Sequence, residues 1–524
     1  MPIIPTVGRR RLKARIVYAF IYSLLAVGAL TILYPFCLML SSSLTNRMDY
    51  DRFDLIPLVL RGKEARFVHY LGDRYAPSEW DLFKSNYSGS RATYWSEMAD
   101  HPKEFFREAG LGSVDESRMK TYEEFLASLP SEDFGLHNLR RASEAYQRQV
   151  VQPLFAKLGP KEVAAELPDN GSLGDRTWKP SISPAFQRVL EFKKTLPVED
   201  RLVPTGKSAW IGWLKREWSV NRLNAALGTQ FETLEEVPFL EERLRAEFFE
   251  KGVPIRWNGV LPEMRYAKFL GSDREWEALP VAEFDYWKFQ KNPLRTFVNS
   301  IVDNYRLVAF YLFTKGRAAV NTIILVALSL FTALTINPLA AYVLSRFRLN
   351  ATSSILLFCL ATAAFPAEVS MIPSFLLLRD LGFLNTFAAL VLPTAANGFS
   401  IFLLKGFFDS LPKELYEAAE IDGAGELRKF VTITMPLSAP ILAVTALGAF
   451  TAAYTGYMWA FVVCQDERIW TLMVWLFQFQ QEQNMARTPS VGMAALVVAS
   501  IPTLIVFMFC QKIIMRGIII PSMK

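Results

Sequence analysis

The residues best placed to do chemistry sit in one short polar stretch, Glu414 to Pro436, which reads ELYEAAEIDGAGELRKFVTITMP between two long apolar runs. The chemistry they suit is docking, not bond-making. Glu414 and Glu417 fall where a helix N-terminus attracts negative charge, with Ser410 and then Pro412 placed for its start. Ala418 and Ala419 are small enough to let a second surface approach the helix backbone. Gly423 and Gly425 break that helix, because Gly takes left-handed conformations at no steric cost. A second amphipathic turn, Leu427 to Ile433, leads to Pro436, where the next apolar run begins. The pattern predicts a docking element held against a membrane.

Catalytic constellations are scarce. PTGKS (Pro204 to Ser208) has the closing residues of a phosphate-binding loop, but Arg201 stands where the first Gly is required and no strand precedes it. His69, His101 and His137 are too widely spaced for a local metal motif, and no Cys accompanies them. No metal and no cofactor bound by this chain is expected. Polar and helix-breaking residues inside apolar runs are costly unless they face protein or water. Asn337-Pro338, Pro366, Glu368, Pro373, Pro393, Asn397 and Gly398 are such residues. Glu368 reads either as a path-lining acid or as a carboxyl bonded near the outer interface. Asn397 reads as a path residue or as a bridge between helices. Tyr454, Tyr457 and Trp459 suit stacking on a sugar ring or anchoring a span end. Glu368, Asn397, Tyr454 and Tyr457 are therefore candidates for a translocation path.

These residues need a scaffold, and the hydropathy supplies one. The chain has 524 residues, 51% of them hydrophobic, and its mean hydropathy of +0.18 averages two unlike parts. A membrane span needs about 20 apolar residues. By that rule six spans are expected, near 16–41, 318–345, 353–378, 386–408, 436–463 and 489–515. The first is too long for the hydrophobic region of a signal peptide and is read as retained. Basic residues in short loops set orientation. One side receives Arg9, Arg10, Arg11, Lys13 and Arg15, then Arg346, Arg348, Lys405, Lys413, Arg428, Lys429, Lys512, Arg516 and Lys524. The other side's short loops hold only Arg317, Arg379, Arg468 and Arg487. Both termini and the 411–436 loop are thus expected in the cytoplasm, and the long segment 46–303 outside it. The net charge of +6 is mainly this topology signal, and nothing points to nucleic acid. Cys37, Cys359, Cys464 and Cys510 lie in or at the ends of spans, so no disulfide framework supports the exported part.

Residues 46–303 hold nine of the 12 tryptophans and all three histidines, so they are expected to fold around a core of their own. Helical apolar spacing recurs at Lys120 to Ala127, Leu136 to Lys157, Phe186 to Lys194 and Pro238 to Glu250. The reading is mostly α-helical with small β parts. Arg216 to Phe239 and Asp273 to Phe289 share enough residues to suggest a weak internal repeat.

With the loop and spans in place, a resemblance becomes specific. Glu417-Ala418-Ala419, then Gly423, then Ile433-Thr434-Met435-Pro436 resembles the EAA loop of ABC-importer permeases, with Met435 in place of the usual Leu. Asp422-Gly423-Ala424 is similar to the carbohydrate, maltose-type branch. Further similarity runs from Asn304 to Arg516, at Asn304-Tyr305, Asn321, Ala340 to Phe347, Phe365 to Phe375, Leu381 to Thr386 and Thr471 to Val474, and SSSLT (Ser41 to Thr45) fits as well. Two departures concern the substrate. Tyr454-Thr455 replaces a Trp-Asn pair common in the fifth span, and the chain ends IIIPSMK in place of the family's usual basic tail.

The resemblance implies an α-helical polytopic inner-membrane protein. It would have a basic tail (1–15), a first span (16–41), a mostly helical periplasmic insertion (46–303), the type I permease core (304–516) with spans 2–6, six spans in all, and a tail (517–524). It implies a permease subunit that moves a solute, a sugar or sugar derivative, by alternating access and is not itself an enzyme. ATP would be hydrolysed by a partner ATPase dimer. Glu417, Ala418, Ala419, Asp422, Gly423, Ala424, Ile433 and Pro436 would couple to that dimer. A second permease subunit, a periplasmic solute-binding protein and membrane lipid complete the implied partners. The alternative is a membrane-anchored periplasmic protein that binds or processes glycans.

Overall fold

Long apolar runs without strand-like alternation fold here as helices, and the places where they stop are set by Pro, Gly and Asn. The structure, a computed structural model, describes residues 12–46, 48–75, 80–87, 95–112, 114–136, 145–155, 184–254, 257–314, 317–347, 349–364, 366–482 and 489–518. Two units divide the chain. One comprises Met1–Ser43 with Asp303–Lys524, the other Leu44–Val302.

The first unit begins with α1 (Leu12–Ser43). Its apolar side chains are exposed on all sides, as Ile32 is at 78%, which suits a helix facing lipid or another subunit. The second unit is built of short helices, among them α2 (Lys63–Arg74), α3 (Glu116–Ser128), α4 (Gly206–Glu217), α5 (Pro262–Leu270) and α6 (Val281–Lys291). One antiparallel ribbon joins them, β1 (Gly135–Leu136) on β2 (Arg201–Leu202), in the register Gly135 with Leu202 and Leu136 with Arg201. Large aromatic side chains fill the cores between these helices. Trp210 and Trp213 pack with Phe248 and Trp257 in one cluster, all at or below 1% exposure. Tyr122, Phe125 and Phe284 lie in another. The fully buried Asp285 is fully engaged: Arg74 Nε donates to it at 2.5 Å, Tyr75 Oη at 2.7 Å and Tyr87 Oη at 3.1 Å. A buried carboxylate left without such donors would cost several kcal/mol.

The suggested internal repeat is not a structural one. Arg216 to Phe239 spans the end of α4, a short helix Val220–Leu227 and a 3-10 turn Leu234–Glu236, whereas Asp273 to Phe289 is a bend and an irregular stretch leading into α6. The shared Arg-Glu-Trp therefore sits in two different backbone settings. Of the segment Leu136 to Lys157, residues 137–144 and 156–157 lie outside the described residues.

Back in the first unit, α7 (Pro293–Thr314) carries the chain across the division at Val302. It leads to α8 (Ala318–Arg346), which is long and apolar enough to span a membrane, as are residues Ile16–Ser43 of α1 and Pro489–Gln511 of the last helix. The remaining expected spans are broken. The 353–378 run forms α9 (Thr352–Ala364) and α10 (Ala367–Asp380), with Pro366 at the start of α10 non-helical at ψ 131°. At 13 and 14 residues each is roughly 20 Å long, short of the ~30 Å hydrocarbon layer. The 386–408 run divides into α11 (Phe387–Val391) and α12 (Gly398–Asp409), and the helical segments Phe387–Thr394 and Gly398–Asp409 meet at 48°. After α13 (Glu414–Ile421) and α14 (Glu426–Lys429), the stretch Glu426–Leu437 meets α15 (Ala439–Thr455) at 84°. Gly456 then separates α15 from α16 (Tyr457–Val463). Among the described residues three helices are long and apolar enough to cross a membrane, or up to five spans if each bent pair counts as one. The physical reason is backbone satisfaction: Pro removes a donor, and Asn and Gly re-cap the freed groups.

Two elements were not anticipated, α7 and α17 (Leu472–Glu482). Leu307, Val308 and Leu312 of α7 pack with Phe450 and Tyr454 of α15, Trp475 and Phe479 of α17, and Ala494 and Ala495 of α18 (Pro489–Ile518). Alanines on α18 allow that close approach.

Candidate functional site

The polar loop is built as two short helices braced from behind by α8. Helix α13 starts at Glu414, so Pro412 precedes it and Ser410 does not cap it. Ser410 Oγ instead donates to Phe407 O at 2.6 Å, closing α12. Helix α13 ends as expected at Gly423, whose φ of +72° only Gly adopts cheaply. Gly423 N donates to Glu420 O at 3.0 Å and Ala424 N to Ala419 O at 2.9 Å, the paired bonds of a Schellman cap. An added Cβ at Gly423 would meet nothing within 4 Å, so backbone conformation alone demands Gly there. Helix α14 then runs into a π-helical turn, Phe430–Thr434, and a last short helix, Met435–Leu437, before the bend at Ser438.

The brace consists of residues whose roles the sequence did not reveal. Tyr416 is buried, and its hydroxyl shares a 2.8 Å hydrogen bond with Thr434 Oγ1, tying α13 to the π turn. The Arg346 guanidinium lies 3.6 Å from the centre of the Tyr416 ring, and its Nη2 donates to Phe408 O at 2.8 Å. Tyr342 Oη donates to Glu426 Oε2 at 2.8 Å, and Lys429 Nζ pairs with Glu426 Oε1 at 2.8 Å. Ser345 Oγ donates to Asp409 at 2.7 Å. The end of α8 therefore holds both halves of the loop. The stretch Ala340 to Phe347 had marked this place only as a family signature.

Against that fixed back, the expected coupling residues face outward. Glu417, Ala418, Asp422, Gly423 and Pro436 are exposed, Ala419, Ala424 and Ile433 half-buried. Beside them stands an apolar patch that charge patterning did not suggest: Ile421 is 88% exposed and Leu427 71%, with Val431 and Leu415 also open. Exposed apolar groups clustered beside acids mark an interaction surface more often than a bare solvated loop.

The four path candidates fall in different settings. Asn397 is exposed and caps α12, its Oδ1 accepting from Ser400 N at 2.8 Å, while its own N–H donates to Oδ1 of the buried Asn337 at 2.9 Å. Asn397 thus repairs the break in the 386–408 run. Tyr454 is 4% exposed, its ring stacked on Phe450 and its hydroxyl donated to Ala499 O at 2.7 Å. Tyr457 is half-buried between Phe461 and Phe477. Glu368 is exposed in the first turn of α10.

Contrary to expectation a short strand, β2 (Arg201–Leu202), does precede the phosphate-loop fragment, but the helix N-terminus that follows is occupied from within. Thr205 Oγ1 caps α4 by accepting from Ser208 N at 3.1 Å, and the buried Glu263 carboxyl accepts from Gly206 N at 2.9 Å and Lys207 N at 3.3 Å. A helix N-terminus that already holds a carboxyl has no donors left for a phosphate. Burial pushes Glu263 above the ordinary carboxyl value, although the backbone donors of Glu263, Gly206 and Lys207 pull the other way. His69 lies buried between Asp49 (3.7 Å) and Asp73 (3.6 Å), His101 is exposed, and His137 lies outside the described residues. Among the described residues no group of three or more His, Cys, Asp or Glu is placed to hold a metal.

Residues 306–520 match the family described as binding-protein-dependent transport system inner membrane component. The trehalose/maltose transport system permease protein MalG of Thermococcus litoralis is 34% identical over 274 residues, covering 52% of this chain and 91% of that protein. The polygalacturonan/rhamnogalacturonan transport system permease protein YtcP of Bacillus subtilis is 35% identical over 216 residues, covering 39% and 73%. Among solved structures, a bacterial ABC transporter involved in the import of the acidic polysaccharide alginate aligns with 30% identity and a TM-score of 0.34, over 37% of this chain and 73% of that one. The match at 306–520 takes in α8, the braced loop and the broken helices, and the two relatives are permeases over most of their length. This chain accordingly belongs to the binding-protein-dependent transport system inner membrane components, the permease family of ABC importers, in company with its sugar-transporting members.

Proposed function

We propose that this chain is the permease subunit of an ATP-driven importer that moves a sugar or sugar derivative across the inner membrane by alternating access. The observation that carries the reading is the loop 411–436: a rigid pair of short helices whose inner face is tied to α8 and whose outer face presents Glu417, Ala418, Asp422 and the apolar Ile421 and Leu427. A surface fixed from behind and open in front transmits displacement in either direction. Partner ATPase subunits would press on it, and the bends at Asn397 and Ser438 would let the attached helices tilt. ATP would be hydrolysed in those partners, and this chain would contribute no cofactor of its own. A second permease subunit would complete the path, with Glu368, Asn397, Tyr454 and Tyr457 as this chain's candidates for lining or gating it. The basic loops support a cytoplasmic location for both termini and the coupling loop. The Leu44–Val302 unit would then lie in the periplasm, where it would receive a solute-binding protein or clamp the second permease. The names of the relatives support a carbohydrate cargo.

Site-specific crosslinking tests the docking face. A variant with the photoreactive residue p-benzoylphenylalanine in place of Ala418, irradiated in membranes of the assembled importer so that its benzophenone inserts into a neighbouring C–H bond, is expected to join to the ATPase subunit and not to the solute-binding protein. A crosslink only to the latter would put the loop on the wrong side of the membrane and end this reading.

A further inference from the structure

Within the Leu44–Val302 unit, a cavity of about 330 Å³ opens between α2, the end of α6 and the first turns of α7. Among the described residues its wall carries two cations, Lys63 and Arg66, and no carboxylate. Arg66 has its guanidinium 6.0 Å from the centre of the Phe297 ring, and its Nε is buried with no hydrogen-bond partner among the described residues. Lys63 is exposed, with Nζ 5.2 Å from the centre of the Tyr286 ring. Gln290, Thr296 and Ser300 add neutral polar groups. The carboxylate behind Ser300, Asp73, is engaged by Ser300 Oγ at 3.1 Å and Asn46 Nδ2 at 2.9 Å. A buried guanidinium edge without an acceptor is costly, and two cations on a cavity whose described wall holds no acid define a place for an anion.

The flanks of the cavity are greasy. Val59, in its wall, belongs to a segment in which Phe53, Leu55, Ile56 and Leu60 are exposed. That segment is held in shape by Arg61, which bonds Asp54 at 2.6 Å and Ile56 O at 2.9 Å, and by Arg52, which bonds Asp54 at 2.9 Å. Phe53 itself has a φ of +49°, a strained conformation for a bulky residue. On α7, Leu294, Val298 and Val302 repeat every four residues as an exposed apolar stripe beside the cavity-lining Pro293, Phe297 and Ser300. Both flanks are chain-neighbours of membrane helices. The Phe53 segment follows closely on the span that ends at Ser43, and about two turns beyond Ser300 α7 contributes Leu307 to the membrane-helix core.

Two cations with apolar side chains around them, on segments that lead directly from and into spans, match an anionic lipid better than a soluble solute. We propose that this cavity binds the headgroup of an anionic phospholipid, its phosphate between Lys63 and Arg66 and its hydroxyls against Gln290 and Thr296. The exposed stripes at Leu55–Ile56 and Leu294–Val302 then rest in the interfacial layer. The assignment depends on the chain's being a membrane protein and not on its coupling or its cargo.

The test uses the full chain in nanodiscs of phosphatidylcholine containing phosphatidylglycerol, with retained lipid read by native mass spectrometry. Wild type is expected to retain phosphatidylglycerol over phosphatidylcholine by about tenfold, the scale of one charge-assisted hydrogen bond. The Lys63→Gln/Arg66→Gln double variant is expected to lose that preference. An unchanged preference in the variant overturns the proposal. So does Arg66-dependent binding of free glucuronate without discrimination between the two lipids, which would give the cavity to a soluble sugar acid. Should the double variant misfold, acylation of Lys63 in wild type decides the matter: phosphatidylglycerol must slow it relative to phosphatidylcholine, and equal rates overturn the assignment.

Discussion

Tyr416 carries more of the loop's geometry than the Glu-Ala-Ala that follows it. Its ring receives the Arg346 guanidinium and its hydroxyl meets Thr434, so one side chain joins three elements. Tyr416→Phe removes only the hydrogen bond, about 1 kcal/mol. Amide exchange around the π turn Phe430–Thr434 is expected to quicken about fivefold, the factor that energy implies, and exchange in α8 to stay as it was. Glu263 gives a second residue-scale test. Burial raises its folded-state pKa above the ordinary 4.5, so the folded chain binds a proton more tightly there than the unfolded chain does. The associated stability is full below the ordinary value and is lost as pH rises through the folded one. The melting temperature of wild type minus that of Glu263→Gln is therefore expected to fall with rising pH above about 4.5. A difference independent of pH would contradict the assignment. Neither Tyr416 nor Glu263 is conspicuous in the sequence, because the partner that gives each its role is distant in the chain.

At the scale of elements, what the sequence disclosed was hydropathy, and what it concealed was continuity. Residues 318–345 and 489–515 form the long helices expected of them, since Pro338 and Pro502 are absorbed within the turns. The runs 353–378, 386–408 and 436–463 look equally apolar yet break at Pro366, Asn397 and Gly456. The breaks hold only because other helices re-satisfy the backbone, as Asn337 does for Asn397 N. Close crossing is equally invisible to hydropathy. A Cβ on Gly398 would lie 2.4 Å from Cys359 O and 2.9 Å from Thr362 Oγ1, so α9 and α12 touch only because residue 398 is Gly. Gly398→Ala is expected to destabilise the chain by about 1–3 kcal/mol, seen as a lower melting temperature in detergent. Gly406→Ala on the same helix meets nothing within 4 Å and is expected to be neutral or stabilising by up to about 1 kcal/mol. Equal effects of the two would mean that α9 and α12 do not cross there. The helix α7 went unread because its apolar face turns partway along, exposed at Leu294 and Val298 and buried at Leu307, Val308 and Leu312.

The whole molecule joins a permease core to a helical unit of comparable length, and the two were legible to different degrees. The core could be read because its loop has fixed spacing, Glu417-Ala418-Ala419 to Gly423 to Pro436. The Leu44–Val302 unit showed its helical character and its aromatic cores in composition. Its chemistry depends on contacts such as Arg74 with Asp285 and Glu263 with Gly206, which no local pattern announces. The central claim is that force passes through the 411–436 loop. Its most direct measurement is the ratio of solute transported to ATP hydrolysed, in proteoliposomes carrying the complete importer with Glu417→Lys or Gly423→Asp in this chain. Both variants are expected to insert and assemble normally yet to lose transport per ATP by at least about tenfold, because a reversed charge or a strained left-handed position spoils the docking face. Uptake and hydrolysis in the wild-type ratio for both variants would contradict the account.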